Sequence, residues 1–217
     1  MVRVLIADDH AIMRQGLRAM LEEESGFEVA GEAGNGREAL GLVAELRPDV
    51  VIMDVGMPEL NGIDATRLIV RDHPGVKVVA LSMHSERRFV TSMLEAGASG
   101  YVLKGAAFDE LVDAVSAVHQ GRIFTSQKVT DLLMTEFVRR LGRGEPASPT
   151  PTLTPREREV VQLLAEGRSA REIAEHLHIS VNTVDTHRRR VLEKLDLSSI
   201  AELTKYAIRE GLTSLDG

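Results

Sequence analysis

The chain contains no cysteine, which excludes disulfide bridges, thiolate metal centres and cysteine nucleophiles and agrees with a reducing compartment. It also lacks any run near the ~20 continuous apolar residues that a membrane span requires. Nor does its start read as a secretory leader, because Met1 leads through Arg3-Val4-Leu5-Ile6 into two aspartates. These absences predict a cytoplasmic protein that does not engage a membrane. Positive charge is the third shortage: the formal net charge is −7, at first sight unsuited to a nucleic-acid partner. Residues 1–122 hold 12 Lys and Arg against 19 Asp and Glu, whereas residues 151–217 hold 10 against 11. The acidity thus sits in the first part, and any nucleic-acid contact by the tail must rest on where its arginines stand.

What is present suffices for two cores. The 217 residues are 43% apolar and 27% charged, ordinary for globular domains, and the length suits two of them. Short β-rich runs (Val2 to Ala7, Glu28 to Ala33, Val50 to Met53, Val76 to Leu81, Gly100 to Leu103) alternate with stretches of helical spacing (Ala11 to Glu24, Arg37 to Leu46, Gly62 to Asp72, Arg87 to Ala96, Phe108 to His119). Five βα units predict a parallel sheet covered on both faces, since right-handed crossovers place helices there. A further amphipathic helix is predicted from Gln127 to Arg140, followed by a linker, Gly142 to Pro151, in which glycine and proline oppose regular structure. Beyond it, Thr154-Pro155-Arg156-Glu157, Ser169 to Glu172 and Ser199 to Glu202 read as capping boxes, and Ser180 as an N-cap. An all-helical second domain of four helices follows.

In an open parallel sheet, ligands bind at the carboxyl ends of the strands. There the sequence places Asp8 and Asp9 after the first strand, Asp54 after the third, Ser82 after the fourth and Lys104 after the fifth. Singly, each has an ordinary explanation: a helix N-cap for Asp8 or Asp9, a turn for Ser82, a solvated cation for Lys104. Together on one edge they are hard to attribute to chance. Three carboxylates repel by up to ~4 kcal/mol per close pair at an effective dielectric near 20, so the cluster needs a cation or a proton. Mg2+ suits oxygen ligands, and Asp9, Asp54 and the backbone carbonyl of Gly56 form an adequate set. A phosphoryl group on Asp54 can then be shared with Lys104 and Ser82.

The pieces Leu5 to His10, Asp54 to Gly62, Ala80 to His84 and Gly97 to Lys104 resemble the receiver domain of two-component response regulators over residues 2 to 122. The resemblance implies a flavodoxin-like (βα)5 doubly wound fold, Asp54 as phosphoacceptor, Asp8 and Asp9 as holders of Mg2+, Ser82 as switch hydroxyl and Tyr101 as switch aromatic. By itself Tyr101 reads as a half-buried packing residue.

In the second domain, two helices joined by a turn at His178-Ile179-Ser180 have helix-turn-helix proportions. Turning Val181, Val184, Val191, Leu192 and Leu195 inward points Asn182, Asp185, Thr186 and Arg189 outward as a base-reading stripe, with Arg188, Arg189 and Arg190 fanned around the helix. In isolation an Arg run is as readily a solvated face. His187 reads as a packing residue, His176 and His178 as surface residues. From Leu153 to Leu212 the chain resembles the output domain of NarL/FixJ (LuxR-type) regulators, on Leu153 to Val160, Arg171-Glu172-Ile173-Ala174 and Thr183 to Arg188. Asp185 departs from the family, where Lys is frequent, so no base preference transfers. An acid there can accept from a cytosine amino group or orient a neighbouring Arg.

These likenesses imply a receiver at 1–122, a linker helix and flexible linker at 123–150 and a helix-turn-helix domain at 151–217. They imply a phosphorylation-controlled DNA-binding transcriptional regulator, phosphorylated at Asp54 by a sensor histidine kinase and otherwise not an enzyme. DNA contacts fall to Asn182, Thr183, Asp185, Thr186, Arg188, Arg189 and Arg190. The last helix, Ser199 to Glu210, pairs two copies on half-sites near 10 base pairs apart, or else simply closes the core. Phospho-Asp54 is expected to draw Ser82 and Tyr101 inward. The rival from another class is a Mg2+-dependent phosphohydrolase, which needs an acid/base carboxylate and a substrate cap that the sequence does not display; a receiver that never accepts phosphate is a third reading.

Overall fold

The computed structural model describes residues 1–83, 85–106, 108–143 and 153–213; His84 and residues 144–152 of the expected linker lie outside the described residues. The chain divides into two compact units, Met1–Gly144 and Glu145–Gly217.

In the first unit, β1 (Val2–Ala7), β2 (Phe27–Ala33), β3 (Val50–Asp54), β4 (Lys77–Ser82), β5 (Gly100–Leu103) and β6 (Phe124–Thr125) form one sheet in the order β2-β1-β3-β4-β5-β6. Every pairing is parallel. Alternate side chains of β1 enter different cores, Leu5 and Ala7 one, Val4 and Ile6 the other, as the two-residue strand period requires. Helices α2 (Gly36–Leu46), α3 (Gly62–Asp72) and α4 (Arg87–Glu95) cover the first face through Val43, Ile69 and Met93. Helices α1 (Ala11–Glu23) and α5 (Phe108–His119) cover the second through Leu21 and Val115. The sheet is thus doubly wound, and the chain reverses its winding between β1 and β3, where such sheets open a crevice.

Sequence alternation did not disclose β6, a two-residue strand too short to show a period. Phe124 pairs with Gly100 and Thr125 with Tyr101. Helix α6 (Gln127–Arg143) runs through Gly142 and Arg143, past the predicted end at Arg140, so the linker starts later than its glycine suggested. Val129, 1% exposed, with Leu132 and Leu133, packs α6 into the first core. Residues 123–143, expected to belong to a linker segment, therefore fold with the first unit. Gly62 is dictated by close approach: a Cβ there would stand 1.9 Å from the Asp54 carbonyl oxygen, so only glycine lets α3 start against the end of β3.

Among the described residues the second unit is four helices, α7 (Pro155–Ala165), α8 (Ala170–His176), α9 (Val181–Leu195) and α10 (Ile200–Arg209), around Val160, Leu163, Ile173, Val184, Val191 and Leu203. The boxes at Thr154 with Glu157 and at Ser169 with Glu172 are closed in both directions. At α10 the Ser199 side chain accepts from the Glu202 N–H, but the Glu202 carboxylate accepts from the Ser198 N–H and hydroxyl at 2.7 and 2.9 Å. Glu157 also receives the Lys194 ammonium at 2.9 Å, tying the end of α9 to the start of α7. Val181, predicted inward, is 44% exposed because it occupies the first turn, ahead of the core that Val184 enters. His176 is half-buried, not a surface residue, whereas His178 is exposed at φ +52° in the α8–α9 turn.

Candidate functional site

Asp8, at the end of β1, and Asp54, the last residue of β3, meet in the crevice and are 1% and 5% exposed. The Lys104 ammonium, delivered by β5, lies 2.8 Å from Asp8 Oδ2 and 3.0 Å from Asp54 Oδ2. Asp8 is no helix cap: α1 has His10 at its N-cap with no side-chain cap bond, and Asp8 Oδ1 accepts from the His10 N–H at 2.8 Å. The main chain fixes the acceptor carboxylate as well, the Val55 N–H donating to Asp54 Oδ1 at 2.8 Å. Asp9 completes the cluster at the rim.

Two residues outside the predicted set join the pocket. His10 Nδ1 stands 2.7 Å from Asp9 Oδ1 and 3.3 Å from Asp8 Oδ1. Arg14 donates to the Asp8 carbonyl oxygen at 2.6 Å. Adjacency to the Asp pair was the only signal for His10; the Arg14 contact depends on how the chain turns after β1, which no spacing reveals.

Ligand atoms of Asp8, Asp9, His10 and Asp54 lie within 4.8 Å of one another. Three carboxylates against one ammonium leave roughly two unbalanced negative charges, each pair repelling by a few kcal/mol at an effective dielectric near 20. Hard oxygen donors this close, in a partly open crevice, fit Mg2+. Gly56 follows in the loop after β3, with open space where a side chain would stand. The protonation balance matches this surplus. Burial pushes the Asp54 carboxyl above the usual carboxylate range; Lys104 opposes the shift, Asp8 and Asp9 reinforce it, and the net direction is up. For Lys104, burial works to lower the ammonium, but Asp54 and Asp8 outweigh it and raise it.

Ser82 is the last residue of β4, fully buried, and its carbonyl accepts from the Lys104 N–H at 2.9 Å. Tyr101 is fully buried too, with its hydroxyl hydrogen-bonded to Ser82. Burial pushes that phenol up to about 12, against the lowering effect of the Ser82 bond. The half-buried position read from the sequence is corrected: the ring lies in the first core.

The second candidate surface is α9, capped by Ser180, whose side chain accepts from the Thr183 N–H. Asn182, Arg188, Arg189 and Arg190 are exposed; Thr183, Asp185 and Thr186 are half-exposed. Both threonine hydroxyls are engaged locally, Thr183 with Ser180 Oγ and Thr186 with the Asn182 carbonyl, each at 2.8 Å. Arg188 Nη2 lies 3.1 Å from Asp185 Oδ1. His187 is half-buried, in keeping with a packing role, and Leu203 and Ala207 turn α10 into the core.

Residues 4–116 match the response regulator receiver domain, and residues 151–207 match the LuxR family of bacterial regulatory proteins. Across 216 residues the chain is 41% identical to the transcriptional regulatory protein MctR of Rhizobium johnstonii, covering 100% of this chain and 97% of that protein. It is 39% identical to the response regulator GacA of Pseudomonas viridiflava, covering 98% of each. Among solved structures, RcsB, seen as two dimers bound to two parallel DNAs, is 29% identical, covers 96% of this chain and 98% of its own, and superposes with a TM-score of 0.59.

Proposed function

Because the chain belongs to the NarL/FixJ (LuxR-type) response regulators, transcriptional regulators that join a receiver to a DNA-binding domain, we propose that phosphorylation of Asp54 controls how its α9 engages a duplex. The observation that carries this reading is the buried Asp54 carboxylate, held by the Val55 N–H and the Lys104 ammonium beside Asp8 and Asp9. In the transfer, an Asp54 oxygen forms the bond to phosphorus while the N–P bond of a kinase phosphohistidine breaks. The departing imidazole keeps the electron pair and takes up a proton. Asp8, Asp9, Asp54 and the Gly56 carbonyl are the donors that would hold Mg2+, which when bound supplies positive charge beside the phosphoryl oxygens.

Lys104 turns from the Asp54 carboxylate to the new phosphoryl group, and the Ser82 hydroxyl, one strand away, donates to it. Ser82 then leaves Tyr101, so the signal passes as an exchange of hydrogen-bond partner within the β4–β5 edge. Moving a two-state equilibrium from about 1:99 to 99:1 takes ~5.5 kcal/mol, within reach of several charge-assisted bonds to one phosphoryl group plus a dimer interface. Residues 1–122 carry the phosphorylation, 123–143 extend that unit toward the linker, and 151–217 bind DNA through Asn182, Thr183, Asp185, Thr186 and Arg188 to Arg190. Two copies pair through α10, whose Ile200 is 39% exposed, as RcsB binds DNA in dimers. The working compartment is the cytoplasm, where the kinase partner and the DNA are both within reach.

Incubation with a small phosphodonor and Mg2+ should add one phosphoryl group per chain, none to Asp54→Asn, and should lower the concentration needed for footprints on genomic DNA. Label retained by Asp54→Asn, or continued turnover of phosphate esters, would contradict the assignment.

A further inference from the structure

We propose that Asp185 and Arg188 act as one unit that reads a single G·C base pair in the major groove, Arg188 donating to the guanine and Asp185 accepting from the cytosine amino group of the same pair. The inference rests on the reading of α9 as the helix that enters the groove.

A carboxylate on such a helix is a poor neighbour for phosphate, so it belongs against a donor. Asp185 lies one turn before Arg188, its Oδ1 3.1 Å from Arg188 Nη2, with the two side chains 39% and 44% exposed. The pair therefore presents donors beside an acceptor. The groove edge of a G·C pair offers the complement in order: the guanine N7 and O6 acceptors, then the cytosine N4 amino donor. O6 and N4 are hydrogen-bonded to each other within the base pair, so they stand about 2.9–3.0 Å apart, close to the Asp185–Arg188 separation. An A·T pair placed there sets its N6 amino group against the guanidinium and the thymine O4 against the carboxylate, donor on donor and acceptor on acceptor. A reversed C·G pair mismatches likewise. The threonine hydroxyls nearest this pair on α9, at 183 and 186, are committed to Ser180 and the Asn182 carbonyl, and do not compete for the same edge.

The test selects binding sites from a random duplex library with the phosphodonor-treated full chain, then with Asp185→Ala, Arg188→Ala and Arg189→Ala. One G·C position per half-site should relax in both Asp185→Ala and Arg188→Ala, all other positions being kept. Replacing that cytosine by N4-methylcytosine, which carries a methyl group where the free amino hydrogen pointed into the groove, should weaken the unaltered chain on the order of tenfold or more. The same base should leave Asp185→Ala binding unchanged. Identical selected sites for Asp185→Ala and the unaltered chain, or equal sensitivity to the methylated base, overturn the proposal while α9 remains the reading helix. If none of the three variants alters the selected sequence or the affinity, the assignment of α9 to the groove fails with it.

Discussion

At neutral pH the buried Asp54 carboxylate works against the fold that houses it. Its pKa is raised, chiefly by burial, so the native state binds more protons than the unfolded chain as pH rises above the ordinary carboxylate value. Stability conferred by this group is therefore full at low pH and lost as pH climbs through the folded-state pKa. Asp54→Asn keeps the shape without the charge and should raise the thermal midpoint of the receiver at pH 7, in chelator, with the gain shrinking toward pH 4. A midpoint that falls at pH 7 would show that the charge holds the pocket together instead. The acidic set was legible because strand ends in a parallel sheet are fixed by the apolar runs before them. His10 and the depth of Tyr101 were not: the first depends on the turn after β1, the second on which face a four-residue strand offers the core.

Helix ends carried the clearest local signals, since a capping side chain and its N–H are only three residues apart. Strand β6 and the exposure of Val181 escaped because pairing with Gly100 and Tyr101, and the entry of α9 into its core, are decided by distant residues. The C-terminus of α9 is suboptimal. Asp196, the C-cap of α9, adopts φ +53°, and the Leu197 N–H closes back on the Leu192 carbonyl at 2.9 Å. A left-handed non-glycine residue costs roughly 1–2 kcal/mol, and an acid at a helix C-terminus opposes the dipole. Asp196→Gly should stabilise the second unit by about 1 kcal/mol, less than that sum because glycine also loosens the unfolded chain. Calorimetry should show a rise of roughly 4–8 °C in the corresponding transition; no rise would mean that the Asp196 side chain contributes a compensating contact.

Across the whole molecule, the sequence made the order of layers legible because parallel strands and their crossover helices leave few topologies, and residues 1–122 carry the entire formal charge of −7. With ten Lys and Arg offset by eleven Asp and Glu in residues 151–217, the DNA-binding part should make few phosphate contacts, hence a shallow dependence of affinity on salt. With Arg188 reading a base, Arg189 and Arg190 are left for the backbone. Arg190→Ala should weaken binding alike on every sequence and reduce the slope of log K against log salt by about 0.9 per bound chain; an altered base preference would instead place Arg190 at a base edge. The aromatic inventory has its own consequence. With no tryptophan and only two tyrosines, Tyr101 beside the pocket and Tyr206 on α10, excitation at tyrosine's absorption band, beyond the reach of phenylalanine, lights one residue in each half of the regulator. Changing either to phenylalanine leaves a label-free lamp that reports on the other half alone.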